Sequence, residues 1–294
     1  MTLIAVLVPN PQLQGDCTMI AHRRRETGSI RTVVLGIITV TALFIALNGF
    51  SQTMVKKVGV FTNPRDKKKI VGYTKIALAW GEQLRPPREL SRGVINLKEA
   101  MGKYTKIETG LVDHLLLSSN DVFTMPLIYV TTKEAFQLTP TEKDNLKKYI
   151  DLGGFIVADN ALAKSERSPG GASLKQMLRD VIPNARFAPI NNGHPFYHCF
   201  FDLDDGPPQG SEIGSYGDFS GTGTEEENWK RQRLSKRVNY LEGVWYRDRL
   251  VAVYSDKGYI VKWNETSNNE PQLRMGVNMI VFSLIQEGGL AEVH

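Results

Sequence analysis

Residues 139–160, TPTEKDNLKKYIDLGGFIVADN, contain the signals for a helix, a turn and a strand in succession. Thr139 suits an N-cap, and Glu142 three residues later can complete a capping box, so a helix is predicted to begin here. The pair Gly153-Gly154 predicts a left-handed end to that helix. Residues 155–158 are an uninterrupted apolar run of the kind found in a buried strand. The segment therefore indicates an α/β fold.

Short apolar runs and helical patterns alternate on both sides of this segment. The sequence predicts strands at 75–80, 106–109 and 126–130, helices at 89–104 and 173–182, a hairpin of 243–246 with 250–254, and a final helix containing 273–284. Strands that are apolar on both faces are typical of parallel sheets covered by helices. We therefore predict a three-layer open parallel sheet over residues 75–287. Residues 56–74 form a linker or first strand in this interpretation, and the glycine-rich stretch 206–229 forms a flexible insertion.

The composition excludes several classes of protein. The chain has 294 residues, of which 41% are hydrophobic and 23% charged, so disordered, collagen-like and disulfide-dense proteins are excluded. The formal net charge of +5 is partly concentrated near the amino terminus. The basic runs 67–69 and 230–237 lie in polar stretches without interleaved aromatic stripes, so we expect no nucleic-acid partner.

A hydrophobic segment near the start of the chain predicts export. Residues 32–55 contain no charged side chain, and a helix over 33–50 would be about 27 Å long, close to the hydrocarbon thickness of a bilayer. Arginines precede the segment and lysines follow it, which places the amino terminus in the cytoplasm. Residues 1–31 would be a basic leader, of which 1–18 would be an over-extended start.

Two outcomes remain open for this segment. It is a retained transmembrane anchor, or it is a signal peptide cleaved before Gln52. The main domain is then held on the periplasmic side of the cytoplasmic membrane or secreted. Cys17 and Cys199 lie on opposite sides of the segment, so we expect no disulfide between them.

Three residues are candidates for chemistry: Asp159, His194 and His198. Asp159 follows a predicted buried strand, and the functional crevice of open α/β sheets lies at the carboxyl ends of the strands. His194 and His198 have the spacing of a metal-binding pair on a helix, but the surrounding phenylalanines favour a structural turn in which the histidines bond to the backbone. Cys199 is interpreted as a buried free thiol. We expect no cofactor and no metal.

Four segments together resemble one family. They are 125–131, 152–159, 194–203 and 274–278, which read MPLIYVT, LGGFIVAD, HPFYHCFFDL and RMGVN. On these segments the chain resembles bacterial members of the domain-of-unknown-function 4159 family. The resemblance implies a flavodoxin-like architecture, shared with class I glutamine amidotransferases. Those enzymes carry a catalytic cysteine at the turn after the strand that here ends in Ala158, and this chain has Asp159-Asn160 there. An amidotransferase mechanism is therefore not expected.

The sequence supports two hypotheses about function. The first is a non-catalytic binding or scaffold module of the cell envelope, with the membrane and a cell-envelope protein as partners. The alternative is a hydrolase or carbohydrate-active enzyme that brings Asp159 together with His194 or His198 at the carboxyl edge of the sheet.

Overall fold

The computed structural model describes residues 57–63, 65–163, 168–211 and 240–294. The predicted leader, the hydrophobic segment 32–55, Cys17 and most of the predicted insertion lie outside the described residues. Among the described residues, no helix has both the length and the apolar character needed to cross a membrane.

The described residues form nine strands and five α-helices. The strands are β1 (Gly59–Phe61), β2 (Val71–Trp80), β3 (Lys106–Leu116), β4 (Leu127–Thr132), β5 (Phe155–Asn160), β6 (Phe187–Pro189), β7 (Glu242–Tyr246), β8 (Arg249–Ser255) and β9 (Glu292–Val293). The helices are α1 (Arg92–Tyr104), α2 (Pro140–Asp151), α3 (Pro169–Val181), α4 (Tyr259–Trp263) and α5 (Glu270–Ile285).

Five parallel strands form the centre of the sheet, in the order β3-β2-β4-β5-β8. Beyond β8 the sheet continues with the antiparallel strands β7 and β6. On the other side, β1 pairs antiparallel with the start of β2, and β9 pairs parallel with β1. The predicted α/β fold with a mostly parallel sheet is confirmed.

Helices cover both faces of the sheet. Alternate residues of β2 show the division: Ile76 and Leu78 face a core formed with α1, α4 and α5, and Ala77 and Ala79 face a second core formed with α2 and α3. Because side chains alternate across a strand, strands buried on both faces are apolar throughout, which is the pattern that predicted this arrangement.

The helix, turn and strand of residues 139–160 form as the sequence predicts. Thr139 and Glu142 make both bonds of a capping box at the start of α2. The chain leaves α2 through Gly153, whose φ is +105°. At Gly154 a Cβ atom would lie 2.3 Å from the ring of Tyr149, so a side chain is sterically excluded there. Tyr149 bonds through its hydroxyl to the backbone of Phe155 and fixes the start of β5.

The sheet extends beyond the predicted strands. β2 begins at Val71, β3 continues to Leu116, and β1 and β9 pair outside the predicted bounds of the domain. β3 pairs only with β2 among the described residues, and as an edge strand it tolerates polar side chains such as Asp113 and His114. Because these polar side chains interrupt the apolar pattern, the sequence predicted only residues 106–109 of this strand.

Candidate functional site

Asp159 lies at the carboxyl end of β5, as predicted, but it is fully buried. Its Oδ2 accepts hydrogen bonds from the Tyr129 hydroxyl at 2.8 Å and from the Ile260 amide at 3.1 Å. Oδ1 is also buried and has no hydrogen-bond partner within bonding geometry among the described residues. The carboxyl group thus links β4 and β5 to the first turn of α4, which is a structural role.

Burial is the main influence on the ionisation of Asp159. It raises the pKa of the carboxyl, and it outweighs the opposing effects of the Ser255 hydroxyl and the Ile260 amide, which stabilise the charged form. Burial, with the neighbouring Asp159 carboxylate, also raises the pKa of Tyr129 well above its ordinary value. Tyr129 therefore remains a hydrogen-bond donor to Asp159 across the physiological pH range.

Other polar groups at the carboxyl edge are also bonded within the protein. The Asn160 amide donates to Asp256 at 2.6 Å, and its oxygen accepts from the Leu162 amide and from the Ser168 hydroxyl. After β2, the buried carboxylate of Glu142 accepts the backbone amide of residue 82 at 2.7 Å. The edge at which α/β proteins usually bind ligands is therefore filled, at these positions, by contacts within the chain.

His194 lies at the opposite edge of the sheet. It caps the short 3-10 turn Pro195–Tyr197, where its Nδ1 accepts the backbone amide of Phe196 at 3.1 Å. Its ring packs against Phe282, with centroids 5.9 Å apart, and Phe282 in turn packs against Phe155 at the start of β5. Partial burial lowers the pKa of the imidazole, so the neutral ring carries its proton on Nε2.

His198 belongs to a separate polar group on the surface. Its Nε2 bonds to the carbonyl of Asn192 at 2.7 Å, and its Nδ1 lies 3.3 Å from a carboxylate oxygen of Asp202. Lys67 forms an ion pair with the same carboxylate, which lowers the pKa of Asp202. Both ring nitrogens of His198 are thus occupied.

Cys199 is a buried free thiol, as predicted. It donates to the carbonyl of Asn278 at 3.2 Å, and burial raises its pKa to about 12. A thiol in this state is a poor nucleophile because the thiolate is scarcely populated at neutral pH.

The three candidate residues are therefore not brought together. Asp159 and Phe155 are four residues apart on β5, which is about 13 Å along a strand, and His194 lies beyond the Phe155 end. In the described part of the chain, no group of three or more His, Cys, Asp or Glu side chains is placed to hold a metal ion.

An open cleft of about 660 Å³ lies at the amino edge, beside His194. We call it the amino-edge cleft. Its walls are the β7–β8 hairpin, the turn at His194, the end of α5 and the end of α2. They contribute Ile150, Asp151, Gly153, His194, Pro195, Trp245, Tyr246, Arg247, Asp248, Arg249, Leu250, Phe282, Gln286, Glu287 and Gly288.

The hairpin turn has an unusual backbone for its residues. Arg247 and Asp248 form the two-residue turn between β7 and β8, with φ values of +49° and +61°. This conformation favours glycine and asparagine, and an arginine adopts it at a cost of about 1 kcal/mol. Arg247 is held at the rim of the cleft, where its guanidinium lies 3.5 Å from Asp151. Strained residues of this kind cluster at ligand sites.

Arg249 and Trp245 fix the shape of the cleft. Arg249 donates three hydrogen bonds of 2.9–3.0 Å to the backbone carbonyls of residues 150, 153 and 154, and so attaches the hairpin to the end of α2. The Trp245 ring lies over Gly243, where a Cβ atom would come within 2.6 Å of it. The same ring meets His194 edge to face, with centroids 6.4 Å apart.

A family model, Domain of unknown function (DUF4159), matches residues 87–284, which is more than half of the chain. The chain belongs to the DUF4159 family. The predicted family resemblance is thereby confirmed, and no curated protein matches the sequence. The part that matches DUF4159 includes Asp159, both candidate histidines and the β7–β8 hairpin.

Of the residues that line the cleft, His194 alone was a candidate from the sequence. Residues 247–249 were predicted only as the connection of a hairpin; the hairpin is confirmed, and Arg249 belongs to β8, which leaves a two-residue turn. The signal that was available is the aromatic pair Trp245-Tyr246 beside a turn without glycine. Its partners Phe282 and His194 come from distant parts of the chain, so their proximity required the fold.

Proposed function

We propose that this DUF4159 protein is a non-catalytic binding or scaffold module of the cell envelope, which holds its ligand or partner in the amino-edge cleft. The burial of Asp159 carries the proposal. Oδ2 of this fully buried carboxylate already accepts hydrogen bonds from Tyr129 and Ile260, and Oδ1 is sealed from solvent, so neither oxygen is accessible to a substrate. A cleft of about 660 Å³ lies at the other edge of the sheet, and His194, Trp245 and Arg247 line it.

The order of the strands supports the finer proposal about the fold. Numbered along the chain, the five central parallel strands lie in the order 2-1-3-4-5, which is the doubly wound order of flavodoxin-like proteins. We propose a flavodoxin-like, glutamine amidotransferase-like architecture without the catalytic cysteine. Asp159-Asn160 form the end of β5, and Cys199 is buried elsewhere with a raised pKa.

The surface next to the start of the described chain supports membrane attachment. Phe61, Val71 and Val293 are exposed apolar side chains, and Phe61 and Val71 are register partners on β1 and β2. Lys57, beside the same strands, is an exposed cation that pairs with Glu292 at 3.3 Å. Apolar and cationic side chains together suit the headgroup region of a bilayer, and Lys57 lies two residues after the uncharged segment 32–55.

The alternative function, a hydrolase or carbohydrate-active enzyme, would need Asp159 and a histidine in one pocket. A general acid or base must come within hydrogen-bond reach of its partner, directly or through one water. The edges that hold Asp159 and His194 are separated by most of the length of β5, and both ring nitrogens of His198 are bonded. The geometry therefore favours binding over catalysis.

Cell fractionation with amino-terminal sequencing of the native protein tests the location. The proposal expects recovery in the membrane fraction with the leader retained, or outside the cytoplasm with a new amino terminus near Gln52. Protease added to spheroplasts should degrade the domain in the anchored case, with a cytoplasmic protein as the protected control. Recovery in the soluble cytosol with Met1 present would overturn the proposal.

A further inference from the structure

We propose that the amino-edge cleft binds a neutral saccharide chain. This inference rests on the proposed function and names the ligand class of the same site. The volume of about 660 Å³ lies within the range of about 300–1,000 Å³ that small-molecule sites occupy. The cleft therefore has room for a ligand of several polar units, and the groups in its walls decide the chemistry of that ligand.

Two ring N–H groups of cleft residues have no acceptor among the residues that the structure describes. His194 uses Nδ1 to accept a backbone amide, which leaves Nε2–H as its donor. Trp245 carries an indole N–H on a side chain that is only partly buried and that lines the cleft. Among the described residues neither N–H has a protein acceptor, and neither is a buried polar atom cut off from solvent. Hydroxyl oxygens of a saccharide would satisfy both.

The rim supplies acceptors that match hydroxyl donors. Asp248 and Glu287 are exposed carboxylates at the cleft, and neither has an ion-pair partner in the part of the chain that the structure describes. A carboxylate can accept from two neighbouring hydroxyl groups at once. The combination of ring N–H donors with carboxylate acceptors is complementary to a polyhydroxylated ligand.

The charges of the cleft disfavour an anion. The walls contain two arginines and the three carboxylates of Asp151, Asp248 and Glu287. Arg249 already donates its hydrogen bonds to backbone carbonyls at the end of α2. Arg247, the remaining cation, lies 3.5 Å from Asp151. A phosphate or carboxylate ligand would have to compete with Asp151 for Arg247 and would face the two unpaired carboxylates of Asp248 and Glu287, so a neutral ligand fits better.

The aromatic wall and the strand pairing favour a saccharide over a peptide. Trp245 and His194 line the cleft with partly buried aromatic rings, against which the C–H face of a sugar can pack. An extended peptide would bind best by adding to a free strand edge. β8 lies between β7 and β5, and β6 covers residues 242–244 of β7, which leaves only residues 245–246 unpaired on that side.

Isothermal titration calorimetry of the full chain tests the proposal. The protein is held in a polyoxyethylene detergent, because detergents with sugar headgroups would compete for the cleft. The probes are the tetrasaccharides of N-acetylglucosamine, of β-1,4-linked glucose and of α-1,4-linked glucose. Tetragalacturonic acid serves as the anionic probe and tetra-alanine as the peptide probe. Binding of at least one neutral tetrasaccharide below about 1 mM supports the proposal.

Matched variants assign the binding to the cleft. Trp245→Ala should weaken saccharide binding by at least about tenfold, and Trp80→Ala, which removes a partly buried tryptophan at the carboxyl edge, should leave it unchanged. Asp248→Gly removes a rim carboxylate and relieves a positive φ, so it should fold at least as well as the wild type and still bind several-fold more weakly. It keeps the test decisive if Trp245→Ala does not fold.

Three results would overturn the inference: no neutral tetrasaccharide binds at about 10 mM, only tetragalacturonic acid or tetra-alanine binds, or Trp245→Ala and Asp248→Gly both bind as the wild type does. If one of these results is obtained while fractionation still places the protein outside the cytoplasm, only the saccharide ligand is rejected and the proposed function stands. Recovery in the soluble cytosol rejects the proposed function, so the two failures are distinguishable.

Discussion

Replacing Asp159 by Asn and by Ala should have opposite consequences for stability. In Asp159→Ala the Tyr129 hydroxyl and the Ile260 amide lose their acceptor in a buried site. A buried donor without a partner costs about 1–3 kcal/mol, so we expect a loss of about 2–5 kcal/mol in the free energy of unfolding. In Asp159→Asn the amide oxygen can occupy the position of Oδ2 and keep both bonds, and the amide nitrogen can donate to the Ser255 hydroxyl beside the carboxyl.

The pH dependence distinguishes Asp159→Asn from the wild type. Because the pKa of Asp159 is raised, the folded wild type binds a proton that the unfolded chain has released, from about pH 4 up to the folded pKa. Across that window the free energy of unfolding of the wild type falls as pH rises, by about 1.4 kcal/mol for each unit by which the pKa is raised. Asp159→Asn cannot ionise, so its stability relative to the wild type should rise over the same window and then level off.

Urea denaturation of the full chain, followed by tryptophan fluorescence between pH 4.5 and pH 8, measures both effects. Asp144→Asn is the matched control, since Asp144 is an exposed carboxylate on α2 and its variant should follow the wild-type profile. An Asp159→Asn profile parallel to that of the wild type would refute the role assigned to burial. Equal destabilisation by Asn and by Ala would refute the assignment of the hydrogen bonds.

Three further substitutions test contacts that shape the fold and the cleft. Glu142→Ala should lower the free energy of unfolding by about 1–3 kcal/mol, because two backbone amides lose their acceptor, and chemical denaturation measures this loss. Arg249→Lys keeps the charge but cannot reproduce the three bonds to α2, so thermal unfolding should show a loss of about 1–3 kcal/mol, and an unchanged midpoint would contradict the contact. In a Cys17→Ser background, Cys199 should react with a thiol reagent at pH 8 only after unfolding, and rapid reaction of the folded protein would contradict its burial.

The elements that the sequence predicts well are those whose signals are local. The capping box of Thr139 and Glu142 and the glycine turn lie within a few residues of the helix they bound, so α2 and β5 could be predicted from one segment. α4 has only five residues and gives too short a pattern to recognise. The first residues of β2 are fixed by pairing with β1, a strand of three residues in the segment predicted as a linker or first strand.

The candidate site depended on contacts between distant residues, and the sequence predicted it only in part. The position of Asp159 at the end of a strand was predictable, but its burial was not, since Ile260 lies 101 residues further along the chain. The capping role of His194 is local and follows from its place before a proline. Its position opposite Asp159 depends on packing against Phe282, which no local pattern reveals.

The two edges of the sheet differ, around Asp159 and around His194, in how their polar groups are bonded within the chain. At the carboxyl edge, the buried side chains Asp159, Asn160 and Glu142 take up backbone and side-chain donors that a ligand would otherwise use. At the amino edge, Arg249 donates to the carbonyls at the end of α2. The cleft separates the hairpin that Arg249 anchors from the end of α5. A ligand bound there would contact the hairpin turn and α5 and leave Asp159 untouched. Substitutions at Asp159 should therefore change stability and its pH dependence, while substitutions at the hairpin should change binding.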